Sequence, residues 1–372
     1  MLGGKMKTVF LWLLLVAFII FLFVDYTVIN QFSSLAVFQR KTILTNRPTH
    51  ICNLNTNPIL NISALPVPEA FSSSQFYGDR SLLEYQWYFK PNVSKISPLN
   101  HRFLQKPSAS CAYNCSLVIL VMSLHHMTSQ RQAIRDTWGS VSELEPLPGS
   151  SEYFPIEVFF VLGVNKNKTL NAAVAMESEA KKDIIVAEFD DSYSNLTRKV
   201  LMAFKWVKEF CPTAKYVMKV DEDTYLNIPK FVALIQSREW NNTLLGPYFF
   251  VDPVLRTGKY ATSKTAFPAP KYPPHVKGNA YFMPMDVAMK VLTVSEHMPY
   301  INMEDTAITG VLAKIFNFRH FGLAKDQYYI DKAASTCELV TGSIIISQQI
   351  FVDTFYKIWD RVKNNSMCKT VK

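Results

Sequence analysis

The sequence predicts an α/β domain with a mostly parallel, twisted sheet flanked by helices, which follows an N-terminal transmembrane helix and a stem. From Ser116 onward, apolar runs typical of buried strands alternate with amphipathic helical segments. Such alternation is typical of parallel sheets that are covered on both faces. Before that domain, an uncharged apolar run over 8–24 predicts the membrane helix, and a proline-containing, non-periodic segment predicts the stem.

Each element follows from its local pattern. Strands are predicted at 116–123, 158–162, 184–187 and 215–220, where apolar residues occur in short runs. Helices are predicted at 129–139, 170–182 and 194–210, and Pro229 suits the first position of a further helix. Ser129, with Gln132 three residues later, is predicted to form a capping box. In such sheets ligands bind beyond the carboxyl ends of the strands, so residues just after 220 are candidate site residues.

The apolar run 8–24 would span about 25 Å as a helix, near the short end for a membrane span. Lys5 and Lys7 precede it, and positive charge before a span keeps the N-terminus cytoplasmic. A cleaved signal peptide is the alternative, but no small-x-small cleavage site follows the run. We therefore predict a cytoplasmic tail over 1–7, a signal-anchor over 8–24, and a lumenal remainder.

The lumenal part is predicted to consist of a stem over 25–110 and a globular domain over 111–372. N-x-S/T motifs agree with the lumenal side, and the predicted glycosylation sites are Asn61, Asn92, Asn114, Asn167, Asn195, Asn241 and Asn364. The chain has six cysteines, an even number that permits disulfide bonds in an oxidising compartment and leaves their pairing open. They do not form the paired C-x-x-C units of a zinc site.

The formal net charge of +9 permits an anionic partner. Lysine and arginine are dispersed, and no nucleic-acid-binding module is present, so we predict no nucleic-acid partner. A sugar diphosphate would be a sufficient anion. The oligomeric state stays open.

An acidic triplet, Asp221-Glu222-Asp223, directly follows the strand predicted at 215–220. In an extended chain Asp221 and Asp223 project to one side and Glu222 to the other. Two carboxylates on one side suit a hard divalent cation that shares its remaining positions with phosphate oxygens. A solvated acidic turn is the alternative for such a short motif.

Arg131 and Arg135 lie four residues apart on one face of the first predicted helix. Guanidinium groups bind diphosphates or buried carboxylates, and ordinary ion pairs are the alternative function of this pair.

The segment from Arg131 to Gly139 reads RQAIRDTWG and resembles the R-x-x-I-R-x-T-W-G signature of the lumenal β-1,3-glycosyltransferase family. This family includes β-1,3-galactosyltransferases and β-1,3-N-acetylglucosaminyltransferases. Further segments resemble the family's motifs in the family's order; they lie at 177–199, 211–216, 271–281 and 303–310.

The resemblance implies a GT-A-like fold, inverting transfer from a UDP-sugar, Mn²⁺ dependence with Mg²⁺ as a substitute, and a single-pass type II protein of the Golgi membrane. It implies that Asp305 is the catalytic base and that Asp223 binds the metal, with His320 as a further metal ligand or else a histidine packed between aromatic side chains. The residues that it assigns to the UDP-sugar are Arg131, Arg135, Trp138, Asp191, Lys199, Asp221 and Glu222. Those that it assigns to the acceptor are Tyr272, Gly278 and Glu304.

The sequence departs from the family pattern at four places, one of which is Met283-Pro284, where the family has a small polar stretch after the G-x-x-Y segment. The triplet contains Glu222 where three aspartates are usual, and His275 replaces a common aromatic residue. The segment 306–309 departs from the usual spacing after Glu304-Asp305, where capping of the following helix is the alternative role of these carboxylates.

The resulting hypothesis is transfer of galactose from UDP-galactose, in β-1,3 linkage, to a terminal sugar of a glycoprotein or glycolipid glycan. Glu304-Asp305 and the G-x-x-Y form of 278–281 favour galactose. The alternatives are a UDP-N-acetylhexosamine donor, a non-catalytic glycan-binding protein, and a metal-dependent sugar-nucleotide hydrolase.

Overall fold

The computed structural model describes residues 60–66, 80–107, 115–141, 147, 153–249 and 252–364. The predicted tail, the anchor over 8–24, most of the stem, and the sequon residue Asn114 lie outside these residues. Within them, no helix has both the length and the apolar character needed to cross a bilayer.

The centre of the fold is a mixed sheet with the strand order β1-β4-β3-β2-β5-β10-β7-β11. The strands of the described residues are, in chain order, Phe103–Gln105 (β1), Leu117–Met122 (β2), Ile156–Val164 (β3), Ile184–Asp190 (β4), Tyr216–Asp221 (β5), Tyr225–Leu226 (β6), Thr243–Gly246 (β7), Tyr248–Phe249 (β8), His275–Val276 (β9), Ala280–Pro284 (β10), Arg319–Gly322 (β11), Tyr328–Tyr329 (β12) and Ile346–Ser347 (β13). The four predicted strands form a parallel block, β4-β3-β2-β5, and β10 pairs antiparallel with β5 and β7. Strands β12, β13 and β6 form a small second sheet, and β8 pairs with β9.

The helices lie on both sides of this sheet. The α-helices of the described residues are Thr128–Asp136 (α1), Lys168–Lys181 (α2), Leu196–Phe210 (α3), Ile228–Gln236 (α4), Met285–Ser295 (α5), Ala313–Ile315 (α6), Thr336–Thr341 (α7) and Val352–Lys363 (α8). Short 3₁₀ helices occur at Ile62–Ala64, Arg80–Phe89, Trp138–Ser140 and Tyr193–Asn195, and a π-helical segment, Thr306–Leu312, runs directly into α6.

Strand β2 shows why the parallel block has a continuous apolar sequence. All six of its residues are buried, because alternate side chains enter different cores. Val118 and Leu120 contribute to the core that contains α3 and α5, whereas Ile119 and Val121 contribute to the core that contains α4 and α8. The prediction of a sheet covered on both faces is confirmed.

The predicted boundary between stem and domain at residue 110 needs correction. Leu82, Tyr88, Phe89 and Leu99 are buried in the same core as α3. Strand β1 pairs antiparallel with β4 at the edge of the main sheet. The prolines of this segment obscured its aromatic and leucine side chains, which give it enough apolar surface to pack on the domain.

The predicted start of helix α1 is also corrected. The helix begins at Thr128, and no side chain accepts a hydrogen bond at its N-cap, Met127, so the predicted capping box at Ser129 does not form. The helix predicted to begin at Pro229 forms but begins one residue earlier, at Ile228, with Pro229 in its first turn and the Asn227 side chain accepting from the Lys230 amide. Cys211 and Cys337 each take part in a disulfide bond.

Candidate active site

A cleft of about 640 Å³ opens where the carboxyl end of β5 meets the start of β10. Asp221, Gly278, Glu304 and Asp305 all line this cleft. The site therefore lies beyond the carboxyl end of a central parallel strand, as the strand pattern predicts.

Lys219 holds the acidic side chains of the cleft together. It lies two residues before Asp221 on β5, so both side chains project to the same face, and its Nζ donates to Asp221 Oδ1 at 2.6 Å. The same ammonium donates to the Gly278 carbonyl and lies 3.6 Å from Glu304 Oε2. Burial lowers the pKa of Lys219, but the carboxylates of Asp221 and Glu304 outweigh it and raise the pKa above the ordinary value.

Glu304 is buried in this cluster. Its side chain accepts a hydrogen bond from the Tyr281 hydroxyl, and 3% of the residue is exposed. Burial raises the pKa of Glu304 to about 7, although the Lys219 ammonium acts in the opposite direction. Its two carboxylate oxygens are occupied by protein groups.

Asp305 begins the π-helical segment and faces the cleft. Its Oδ1 accepts from the Thr306 amide at 2.8 Å, which caps the segment, and its Oδ2 accepts from the Gly278 amide at 3.2 Å. A Cβ at Gly278 would lie 3.2 Å from a Glu304 oxygen and 3.3 Å from the Asp305 Cβ, so glycine lets these two segments approach closely. Asp305 thus caps the helical segment, which is the alternative role of this carboxylate. The cap fixes the orientation of the Asp305 carboxylate, which also borders the cleft.

Asp221 and Asp223 fit a divalent cation by their chemistry. Burial raises the pKa of both carboxyl groups, so a cation beside them would favour the ionised forms. Asp223 interacts with the side chain of Gln348, which lines the cleft. Among the described residues, no group of three or more His, Cys, Asp or Glu side chains is arranged to hold a metal.

Glu222 points away from the cleft, as the alternation predicts. Its carboxylate accepts from Ser123 Oγ at 2.5 Å and from the Leu124 amide at 2.9 Å. Burial raises the pKa of Glu222 to about 7. Its assignment to the UDP-sugar is therefore not supported by its contacts.

Arg131 and Arg135 are also not directed at the cleft. All five N–H donors of Arg131 are used inside the fold, on Glu177, Ser123, Thr128 and the Leu124 carbonyl. Arg135 binds Asp183 with two hydrogen bonds, at 2.7 and 2.9 Å, and Glu177 with a third.

These contacts give no support to the donor-binding assignment of the two arginines. Helix α1 directs both guanidinium groups at carboxylates from α2 and the turn that follows it, so ion pairing, which the spacing equally permits, is their role.

Three other residues assigned to the UDP-sugar are buried in the fold. Trp138 is fully buried in the core. Lys199 donates to the Ser123 carbonyl at 2.6 Å and to both oxygens of Asp191, at 2.9 and 3.1 Å. Asp191 also accepts from the Gly163 amide at 2.9 Å. This pair joins the ends of β2, β3 and β4, and its polar atoms are engaged there.

His320 was predicted to be either a metal ligand or a histidine packed against aromatic side chains, and its contacts are those of a packed histidine. Its ring stacks on Tyr248, with centroids 5.4 Å apart, and its Nε2 lies 2.6 Å from the Thr309 carbonyl, to which it donates. Burial lowers the pKa of His320 to about 4. The neutral ring is thus the stable form, and the contacts give no support to metal binding.

The residues assigned to the acceptor differ in their access to the cleft. Tyr272 lines it, but only 4% of the residue is exposed. Its hydroxyl donates to Thr262 Oγ1 at 2.6 Å, and its ring stacks on Phe267. Tyr272 therefore supports the wall of the cleft, whereas Gly278 contributes an amide and a carbonyl to the cluster beside Asp305.

The predicted glycosylation sites fall into two groups. The exposed asparagines among the described residues are Asn61, Asn92, Asn167, Asn241 and Asn364. Asn195 differs, because it is half-buried and Thr197 of the same motif is only 2% exposed. The side-chain nitrogen of Asn195 donates to the Asp190 carbonyl and to Ser192 Oγ. A glycan at Asn195 would have to break these contacts.

Several cleft residues received no role from the sequence. They are Lys219, Tyr193, Asp252, Lys259, Tyr260 and Lys277. A lysine inside an apolar strand, two residues before Asp221, was a usable signal for Lys219. Lys277 donates to Asp252 at 2.6 Å. This contact depends on how the loop folds, so the sequence carries no comparable signal for it.

Comparison with known proteins shows which family the chain belongs to. The family described as Galactosyltransferase matches residues 129–322. The chain belongs to the galactosyltransferase family. The match contains α1, the parallel block from β3 onward, the acidic triplet and Glu304-Asp305.

Relatives in this galactosyltransferase family agree. The protein is 35% identical to Beta-1,3-galactosyltransferase 5 of Mus musculus over 246 residues, which cover 64% of this chain and 75% of that protein. It is 32% identical to Beta-1,3-galactosyltransferase 1 of Mus musculus over 275 residues, covering 71% and 79%. The family and these relatives identify a glycosyltransferase enzyme of the β-1,3-glycosyltransferase family.

Similarity to solved structures is weak. The apo structure of the bifunctional glycosyltransferase WbbM covers 67% of this chain and 50% of its own, with 8% identity and a TM-score of 0.37. A likeness at this level supports no argument about fold or activity.

Proposed function

We propose that this enzyme transfers galactose from UDP-galactose, with inversion and in β-1,3 linkage, to a terminal sugar of a glycoprotein or glycolipid glycan. The observation that carries the proposal is one cleft that joins Asp221, at the carboxyl end of a central strand, to Asp305. The names of the relatives, both β-1,3-galactosyltransferases, support the choice of sugar and linkage.

Asp221 and Asp223 would bind the donor end through a divalent cation, Mn²⁺ or Mg²⁺. When bound, the cation offsets negative charge on the departing UDP. Lys219 keeps Asp221 in place and limits the negative charge of the cluster. A GT-A-like arrangement of donor and sheet is part of this proposal.

Asp305 would act as the base that takes the proton of the acceptor hydroxyl. Its two oxygens are oriented by backbone amides, and the carboxylate borders the cleft. Glu304 is the poorer base because it is buried and already engaged with Tyr281 and Lys219. A fixed carboxylate beside the reacting hydroxyl meets the geometric requirement for general-base catalysis.

The proposal includes a type II Golgi membrane protein with a tail over 1–7, a signal-anchor over 8–24, a lumenal stem and a lumenal catalytic domain. The apolar run and its preceding lysines support this topology. Glycosidase treatment of the expressed protein should lower its apparent mass while the anchor stays attached. A mature N-terminus after residue 24 would overturn the anchor.

Transfer assays test the function. The purified chain is incubated with UDP-galactose, UDP-N-acetylglucosamine or UDP-N-acetylgalactosamine and a panel of glycan acceptors, with Asp305→Asn as the matched control. We expect galactose transfer that Mn²⁺ supports and that the control loses. Preferred transfer of an N-acetylhexosamine would correct the donor, and glycan binding without transfer from any donor would contradict the proposal.

A further inference from the structure

One wall of the cleft is a closed loop over 252–272, here called the cleft loop. Its two ends are paired: the Tyr272 amide donates to the Asp252 carbonyl at 2.9 Å, and the Val254 amide donates to the Pro270 carbonyl at 2.8 Å. The intervening residues are therefore held as one compact unit, not as an extended flexible connection.

Arg256 organises the interior of the cleft loop. Its guanidinium donates to four backbone carbonyls, those of Thr262 and Phe267 at 2.8 Å, Ala269 at 2.7 Å and Pro268 at 3.2 Å. One side chain thus satisfies carbonyls that lie on separate parts of the loop. This arrangement fixes a backbone that has no regular secondary structure.

The cleft loop is also attached to the segment that carries Asp305. Asn302 donates to the Ala261 carbonyl at 2.9 Å, and its Oδ1 accepts from Thr262 Oγ1 at 3.2 Å. On the other side, Phe267 is fully buried against Tyr88. The position of the loop is therefore fixed relative to Asp305, three residues after Asn302.

The tip of the loop carries exposed side chains into the cleft. Gly258, with φ of +84° and open space around it, makes the turn. Tyr260 then forms an edge-to-face pair with Tyr193, with ring centroids 5.8 Å apart. The Lys259 ammonium lies 4.8 Å from the Tyr193 ring and 5.2 Å from the Tyr260 ring. The two tyrosines remain 42% and 46% exposed although they line the cleft.

Exposed tyrosines on a rigid loop suit a ligand that has both an apolar face and hydroxyl groups. A pyranose ring presents one face of C–H groups, which packs on an aromatic ring, while its hydroxyls accept hydrogen bonds from an ammonium group. The uracil of the donor is the other flat group that could stack here.

The surroundings favour the acceptor. The loop that carries Tyr260 is hydrogen-bonded through the Ala261 carbonyl and Thr262 Oγ1 to Asn302, three residues before Asp305. In agreement, partial burial and then the negative charge of Asp305 raise the pKa of Tyr193 to about 12. Glu304 and Asp221 contribute less than Asp305. A sugar on the two tyrosines would thus lie on the side of the cleft that carries Asp305.

We propose that Tyr193, Lys259 and Tyr260 form the subsite that binds the acceptor sugar and determines which acceptor is used. This subsite rests on the proposed function, because it takes Asp305 as the base. A sugar that binds there displaces the Lys259 ammonium from the ring faces, and the ammonium then donates to the sugar hydroxyls.

Saturation-transfer NMR can test the subsite without turnover. Methyl β-glycosides of galactose and N-acetylglucosamine are titrated into the full chain in the presence of UDP and Mn²⁺, and UDP affinity is measured separately. We expect Tyr260→Ala to weaken glycoside binding about tenfold, which is a typical effect of removing one stacking ring. Tyr260→Phe should retain binding, and UDP affinity should not change in either variant.

The matched control is Tyr153→Ala, since Tyr153 is 57% exposed and does not line the cleft. Unchanged glycoside binding in Tyr260→Ala would overturn the subsite. Loss of UDP affinity without loss of glycoside binding would also overturn it, because the tyrosines would then bind the uracil of the donor. Failure of the wild type to bind any glycoside would also overturn it. If glycosides bind as expected but no sugar is transferred, the proposed function fails; Tyr193, Lys259 and Tyr260 then remain a sugar-binding site, and their role in acceptor choice fails with the proposed function.

Discussion

The pH dependence of stability provides a quantitative test of whether His320 is a packed, neutral side chain in the folded protein. The ring stacks on Tyr248 and donates to the Thr309 carbonyl, and burial lowers its pKa to about 4. In the unfolded chain the pKa would be near 6.5. The unfolded state therefore takes up the proton first as the pH falls, so the free energy of unfolding decreases from about pH 6.5 down to about pH 4.

The size of this decrease follows from the two pKa values. Each pKa unit corresponds to about 1.4 kcal/mol. If the folded and unfolded pKa values differ by the full amount, the free energy of unfolding falls by about 2 kcal/mol at pH 5 and by about 3 kcal/mol at pH 4. His320 is only partly shielded from solvent, which reduces the expected effect at pH 5 to about 1–2 kcal/mol.

His320→Phe removes the titrating group and keeps an aromatic ring against Tyr248. At pH 7 the variant should be less stable by about 1 kcal/mol, because the hydrogen bond to Thr309 is lost. At pH 5 the difference should vanish or reverse, because only in the wild type does protonation of the histidine stabilise the unfolded state.

Urea unfolding of both proteins at pH 7 and pH 5, followed by tryptophan fluorescence, measures this difference. Other titrating groups act equally in both proteins and cancel in the comparison. Parallel loss of stability in the two proteins would refute the buried, neutral histidine. Loss of Mn²⁺-dependent UDP binding in His320→Phe would instead restore its predicted role as a metal ligand.

Further predictions concern the carboxylates and the arginine network. Asp305→Asn should lower turnover about 10²-fold or more with UDP-sugar affinity nearly unchanged, whereas Glu304→Gln should cost less turnover; the reverse order in steady-state kinetics would reassign the base. Asp223→Ala should abolish turnover and metal-dependent UDP binding by calorimetry while Glu222→Asp is tolerated, and full activity in excess chelator would remove the metal from the mechanism. Arg135→Met should lower the free energy of unfolding by about 1–2 kcal/mol, because it leaves two half-buried carboxylates with fewer partners. Unchanged stability with lost UDP affinity would return this arginine to the donor site.

The sequence by itself determined the parallel block and the position of the acidic triplet. Strands buried on both faces need continuous apolar runs, and such runs are visible locally, as in Leu117–Met122. The alternation of side chains along a strand likewise separated Glu222 from Asp221 before any contact was known. The stem boundary was misplaced, because prolines were given more weight than the core side chains Tyr88 and Phe89.

Only the tertiary structure decided which charged groups meet. Arginines four residues apart bind a diphosphate or two carboxylates equally well, and the choice depended on where the fold brings Glu177 and Asp183. Likewise, the contact of Lys219 with Glu304 joins residues that are distant in the sequence and meet because β10 inserts antiparallel beside β5. Electrostatic and hydrogen-bond partners depend on distances of a few ångströms, which local sequence patterns do not encode.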